Sequence, residues 1–406
     1  MTDPRSVEKV DIYRNAVRVG ELRRTPAGGA VFEYERDFFA AHQALPGGIA
    51  THLPYARRTI EAREGNLHPY FSGLLPEGLR LRSLISRIKT SQDDAFTLLV
   101  AAGSDCVGDL FPIAPGASLA PLETTREELT PLENVSFAAL FKQSLQSSEE
   151  PAVAGVQEKL SPSMISFPFA TGGKRWILKL NPPDKELLVE NEHFFMSMAR
   201  ACDLDVARTQ LVHDRDGVAG LLVERFDRLR EGRRWRGVHQ EDACQFLDTY
   251  PSDKYRLSTS EVARGLERCD SPAAECARLL EVVAFSYLVG NGDLHAKNIS
   301  FNARGGALQL SPAYDLLSSR PYKDLKLALK FEGRDDNLKR AHFIEFGKRF
   351  GVAQPAIDAR LDRLGSRAAP FIPRVKEIGF DARLTKLLRE LMKKRLADLA
   401  PVFSRS

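Results

Sequence analysis

The stretch Tyr287-Leu-Val-Gly-Asn-Gly-Asp-Leu-His-Ala-Lys-Asn-Ile-Ser-Phe301 decides the reading of the chain. An apolar run stops at Gly290 and gives way to Asp293, His295, Lys297 and Asn298 within six residues. A carboxylate followed five positions later by a carboxamide is the spacing of a phosphoryl-transfer loop. In such a loop the Asp takes the proton of the acceptor hydroxyl, and the Asn carbonyl oxygen holds Mg²⁺ between phosphates. Downstream, Leu310-Ser-Pro-Ala-Tyr-Asp-Leu-Leu-Ser-Ser319 sets Asp315 between apolar neighbours after a short strand-like run, where a second Mg²⁺ ligand is expected. Alone, Asp293 reads as well as a helix cap and Asp315 as the start of a turn. The ordered pair favours chemistry.

Working outward, 406 residues exceed one typical core and point to two or three units. With 43% hydrophobic and 28% charged residues the composition is that of an ordinary globular protein. A net charge of +4 is too small to argue for nucleic acid, although Lys386-Leu-Leu-Arg-Glu-Leu-Met-Lys-Lys-Arg395 gathers cations on one helix, read first as a solvated face. No apolar run reaches membrane-spanning length and no signal pattern opens the chain, so a cytoplasmic location without a membrane partner is expected. Five scattered cysteines without a C-x-x-C pair argue against a disulfide framework and against structural zinc.

Along the chain, residues 7 to 22 read as strand, turn at Arg14-Asn15, and strand, continued by Phe32 to Tyr34. Pro76 and Glu77 suit the first turn of a helix carrying Leu79, Leu81, Leu84, Ile85 and Ile88; Ala95 to Ala102 is a second helix and Gly103 to Ile113 a turn into a strand. The Pro-, Thr- and Glu-rich stretch from Ala114 to Pro131 is a connector. Ala154, Gly155, Val156, Gln157, Glu158 and Lys159 form a loop whose amides and lysine suit phosphate, whereas Ala170-Thr-Gly-Gly-Lys-Arg175 fails the Walker A pattern. Lys179 stands alone among apolar residues in the strand Arg175 to Leu180, either on a solvent face or in a nucleotide cleft. The helix from Glu186 to Cys202 follows, and of its acids Glu192 is favoured over Glu190 as the partner of that lysine. The strand from Val218 ends in Glu224, Arg225, Phe226 and Asp227, a hinge whose backbone suits adenine, with Asp227 near the ribose. His239 to Gln245 is expected to open a helix with acids in its first turn. Helical patterns then dominate: Ser260 to Leu266, Ala273 to Val289, Asp324 to Phe331, Leu338 to Phe350, Ala356 to Leu364 and Ala382 to Leu399.

Taken together, Ala154 to Lys159, Lys179, Glu224 to Asp227, Gln240 to Gln245, Asp293 to Asn298 and Tyr314-Asp315 resemble the HipA family of bacterial toxin kinases, as do Tyr70-Phe-Ser-Gly-Leu-Leu-Pro-Glu77 and Gly103 to Asp109 near the start. The resemblance implies an α+β, bilobal protein-kinase-like fold: a β-rich N-terminal subdomain over 1–115, a kinase N-lobe over 132–228 and an all-α C-lobe over 229–406. It implies transfer of the ATP γ-phosphoryl group to a serine or threonine of another protein, in relatives an aminoacyl-tRNA synthetase such as glutamyl-tRNA synthetase. It further implies a HipB-type helix-turn-helix antitoxin, with operator DNA bound through that complex. Carried over, Asp293 is the base, Lys297 stabilises the transferring phosphate, and Asn298 and Asp315 hold Mg²⁺. Residues 154–159 and Lys179 meet phosphates, Glu224 to Asp227 and Tyr314 border the nucleotide, and His295 supports it. Where the family carries its autophosphorylated serine, this chain has Ala152, so Ser147 or Ser148 is expected to replace it, or the antitoxin alone to control activity.

Other readings compete. Gly292-Asp-Leu-His295 opens like a binuclear phosphatase signature, yet the G-D-x-x-D and G-N-H patterns such a site needs are missing. A kinase of the same fold for a lipid or small molecule, and a catalytically weak corepressor, share the core motifs.

Overall fold

The computed structural model describes residues 3–26, 29–62, 67–102, 106–114, 116–117, 135–139, 164–171, 173–232, 234–303 and 306–401. The phosphate-loop residues 154–159, Ala152, Ser147 and Ser148 lie outside them.

The first unit is an antiparallel five-stranded sheet in the order Thr59–Glu61, Ala30–Tyr34, Val17–Arg24, Lys9–Arg14 and Leu110–Ile113. Alternation along these strands turns Val10, Ile12, Leu22, Phe32 and Tyr34 inward, where Phe71, Phe96 and Leu99 from short helices close one core. Pro69–Gly73, Gly78–Ile88 and Ala95–Ala102 are those helices, with Glu77 at the cap of the second.

The next sheet, also antiparallel, runs Thr209–His213, Ala219–Glu224, Lys174–Leu180, Ile165–Thr171. Its two faces have different cores. Trp176, Leu178, Leu180 and Leu222 pack with Phe137 on one side, while Leu221 and Val223 face the large core of the helical lobe on the other. Lys179 pairs in register with Leu221 and Ile177 with Val223, so strand alternation places the lysine on the inner face. The helix Leu188–Ala201 packs against that face.

Around Pro272–Val289 lie the helices Thr259–Gly265, Arg340–Arg349, Gln354–Ala368 and Ala382–Leu399. Pro272 suits the first helical turn, and Gly290 at φ 76 ends this central helix in the left-handed conformation, where an added Cβ would stand 2.8 Å from Arg320 and Leu391. The chain is thus turned out of the core at the point where the polar loop begins.

An α+β kinase-like architecture is what these layers form, and four expectations need correction. The C-terminal lobe is not all α: it holds the hairpin Arg228–Glu231 with Arg234–Gly237 and a sheet of Gln240–Asp242, Ser300–Asn302 and Gln309–Leu310. Gln240 to Asp242 is therefore strand, not helix, and Asp242 caps the short helix Ala243–Phe246 through a capping box with Gln245. Asp324 to Phe331 is irregular, because Leu327, Leu329 and Phe331 alternate with period two and bridges join Lys330 to Ser258 and Phe331 to Arg334. The basic C-terminal helix is not uniformly solvated either: Arg395 is buried, bonded to Asp336 and lying over the Tyr287 ring. No described helix is long and apolar enough to cross a membrane.

Candidate active site

Lys179 sits at the centre of the site. Its ammonium donates to both oxygens of Glu192 at 2.8 Å and to Asp315 Oδ1, so a strand, a helix and a loop meet on one buried cation. Glu192 is fully buried because Leu188, Asn191, Glu192 and Phe195 share the inward stripe of their helix, whereas Glu190 bonds Asn181 at its N-terminal end. Burial first, and the charge of Asp315 next, push the Glu192 carboxyl up to about 7 against the attraction of Lys179. The two carboxylates raise Lys179 and keep it charged although burial opposes this. Asp315 itself has φ 57, a left-handed conformation uncommon for a residue with a Cβ and characteristic of functional turns.

Two asparagines that sequence reasoning passed over hold this geometry. Asn191, fully buried, accepts from Ser318 N at 3.0 Å and donates to Ser318 O at 2.8 Å, tying the Glu192 helix to the Asp315 loop. Asn291 accepts from Asp293 N at 2.9 Å and reaches Asp315 O at 3.4 Å, tying the two loops together. For Asn191 the available signal is a carboxamide inside the apolar stripe of its helix, where a polar group must find a partner; Asn291, between Gly290 and Gly292 past a helix end, carries no such signal.

Within the 293–298 loop, Asn298 donates its amide to Asp293 O at 2.8 Å, leaving its carboxamide oxygen as acceptor. Asp293 is 7% exposed, 3.8 Å from His295 Nε2 and within 3.4 Å of the Tyr255 hydroxyl. His295 is buried, and desolvation, followed by the charge of Lys254, lowers it to about 3, so the imidazole is neutral. Lys297 is tethered to Gly73 O at 3.0 Å and to Asp242 at 3.2 Å, with Glu77 3.9 Å away.

A cleft of about 270 Å³ opens beside this loop, which reaches it through Lys297 while Asp293 and Asn298 do not line it, and its walls include Ile177, Lys179, Glu224, Phe226, Tyr314 and Asp315. Arg225, Asp227 and Lys297 also border it, while Gly73 to Glu77 close it from the first unit. Phe226 and Tyr314 rings stand 6.0 Å apart, and Tyr314 donates to Lys297 O at 2.8 Å. The amides of Glu224 and Arg225 are taken by Arg208 O and Arg175 O. Asp227 differs from its expected place near a ribose: both oxygens are held by Arg225, Arg228 and the Gly108 amide, so its carboxylate braces the hinge against the first unit. Those arginines hold it well below the usual carboxylate range in spite of burial. His295, also expected to border the nucleotide, is buried against the Tyr255 ring and, like Asp293 and Asn298, is not among the residues lining the cleft.

Among the described residues no cluster of three or more His, Cys, Asp or Glu stands ready for a metal. Magnesium does not require one, since it takes one or two protein oxygens and completes its shell with phosphates and water. Asp315 on the cleft wall is an oxygen donor of that kind, and Asn298, whose amide is taken by Asp293 O, has its carboxamide oxygen left to offer beside the cleft.

A strand lysine held by a helix carboxylate, beside a second acidic loop and a hinge, defines a kinase-fold protein. The chain belongs to the HipA family: the HipA-like C-terminal domain matches residues 152–370 and the HipA N-terminal domain residues 10–111. The Y4mE protein of Sinorhizobium fredii, a candidate kinase by name, is 29% identical over 400 residues, covering 92% of this chain and 93% of its own. The serine/threonine-protein kinase toxin HipA of Shewanella oneidensis is 27% identical over 337 residues, 75% of this chain and 76% of its own. The solved complex of HipA, HipB and operator DNA from that organism contains a chain that superposes with a TM-score of 0.76 at 22% identity, covering 96% of both chains. These relatives support a kinase.

Proposed function

We propose that the chain is an ATP- and Mg²⁺-dependent serine/threonine protein kinase, the toxin of a cytoplasmic HipA/HipB-type module. The observation that carries this is Lys179 held between Glu192 and Asp315 on the wall of one cleft. In this reading Lys179 contacts α- and β-phosphates, and Glu192 fixes its direction. The hinge backbone at Glu224 to Phe226 receives adenine, with Phe226 and Tyr314 beside the base. Residues 154–159 cover the phosphates. Asp293 accepts the proton of the acceptor hydroxyl and Asn298 and Asp315 hold Mg²⁺, which when bound neutralises the charge of the transferring group. Lys297, pinned by Asp242 and Gly73, adds fixed positive charge nearby.

The acceptor is an aminoacyl-tRNA synthetase of the glutamyl class, and a HipB-like antitoxin carries the complex to operator DNA. Incubation of the chain with labelled ATP, Mg²⁺ and purified glutamyl-tRNA synthetase tests this. Label in the synthetase with wild type and none with Asp293→Asn is expected; equal labelling by both would overturn the assignment of Asp293.

A further inference from the structure

Beside the buried carboxylate of Asp293 stands an aromatic side chain that is 38% exposed, Tyr255. Its hydroxyl donates to Asp293 Oδ1 at 3.4 Å, a long bond, and its ring meets His295 edge to face at 5.1 Å. The segment carrying it is fixed to the catalytic loop through the bond from Ala296 N to Lys254 O, 3.1 Å. Lys254 in turn lies 5.4 Å over the Tyr255 ring and donates to Glu77 at 3.1 Å. A continuous line of contacts therefore runs from the N-terminal unit through Glu77, Lys254 and Tyr255 to Asp293.

We propose that Tyr255 stands in for the acceptor hydroxyl, occupying Asp293 until a serine or threonine of the protein acceptor displaces it, and that Glu77 and Lys254 set its position. This rests on the reading of Asp293 as the base. A phenol at an exposed rim, bonded weakly to the base, can yield to an incoming hydroxyl while keeping water from being activated between encounters. Without acceptor, the reaction so restrained is hydrolysis: a water oxygen bonds to the γ-phosphorus, its proton passes to Asp293, the bond to the β,γ-bridging oxygen breaks, and ADP and phosphate leave. Tyr255 is thus a specificity-determining residue, favouring a protein hydroxyl over water.

The test is release of labelled phosphate from Mg-ATP by the full chain without protein acceptor. Tyr255→Phe should raise the rate about fivefold or more with the KM for ATP within about twofold, because removing a hydrogen bond to the base touches the acceptor side only. Lys254→Met, which leaves the phenol in place but releases its support, should give a smaller rise and serves if the first variant folds poorly. Adding Asp293→Asn to Tyr255→Phe should abolish the gain. Folded Tyr255→Phe or Lys254→Met releasing phosphate no faster than wild type would overturn the inference alone. Asp293→Asn releasing phosphate as fast as wild type would instead overturn the assignment of the base on which it rests.

Discussion

Two buried ionic clusters lie on either side of the hinge, and they behave oppositely. At Lys179 one ammonium serves two carboxylates, Glu192 and Asp315, and Glu192 is driven up to about 7. Between the first unit and the hinge, Asp109 accepts from Arg14 at 2.8 Å and His239 reaches both Asp109 and Glu241, at 3.2 and 2.9 Å, so two cations meet two anions. There every group shifts toward its charged form although burial opposes it: His239 rises to about 9 through its bonds to Asp109 and Glu241, and both carboxyls fall. A balanced buried cluster satisfies itself and braces the fold. One with surplus negative charge can accept a further cation, which the proposed metal–nucleotide site would supply.

The largest expected effect separates the two. Asp315→Asn should cut Mg-ATP turnover about a thousandfold while leaving the unfolding midpoint close to wild type or above it, because it relieves the surplus charge. Loss of stability equal to loss of activity would break the contrast. Asp227→Ala leaves Arg225 and Arg228 without their carboxylate, against backbone carbonyls such as Cys106 O, and should cost about 3–5 kcal/mol in urea unfolding, its loss of activity following from unfolding. His239 offers a pH test. Its folded value near 9 lies above the ordinary 6.5, so its contribution is full below pH 6.5, declines as pH rises, and is lost above 9. Up to about 3 kcal/mol should disappear across that window, and His239→Gln should flatten the profile. Asn191→Ala leaves the Ser318 backbone groups without their side-chain partner and should cost about 1–3 kcal/mol, with a fall in kcat as the Asp315 loop loosens.

How much of this is legible in the sequence depends on distance along the chain. Lys179 is readable because strand alternation sets it among apolar residues, and Glu192 because it falls on its helix's buried stripe while Glu190 does not. The 293–298 loop announces itself by a helix stop at Gly290. Asp242 is not legible as a strand residue, since its partner Ser300 lies 58 positions away and the local pattern Gln-Glu-Asp-Ala suits a helix start. Neither is the role of Asp227, whose bonds reach Gly108 across 119 positions, nor the reach of Glu77 to Lys254 across 177. The helix expected over Asp324 to Phe331 fails for a related reason: Leu329 and Phe331 are buried on alternate positions, and the Lys330 between them bridges to Ser258 far back in the chain. Periodicity reports which face is apolar, not which loop arrives to cover it.

Calorimetric titration of ATP into wild type and Asp315→Asn, each with and without Mg²⁺, addresses the central assignment most directly. Mg²⁺ should tighten ATP binding to wild type and do so far less for the variant. Identical Mg²⁺ dependence in the two proteins would contradict the account, leaving the Lys179 cluster a structural ion pair in a kinase-shaped fold.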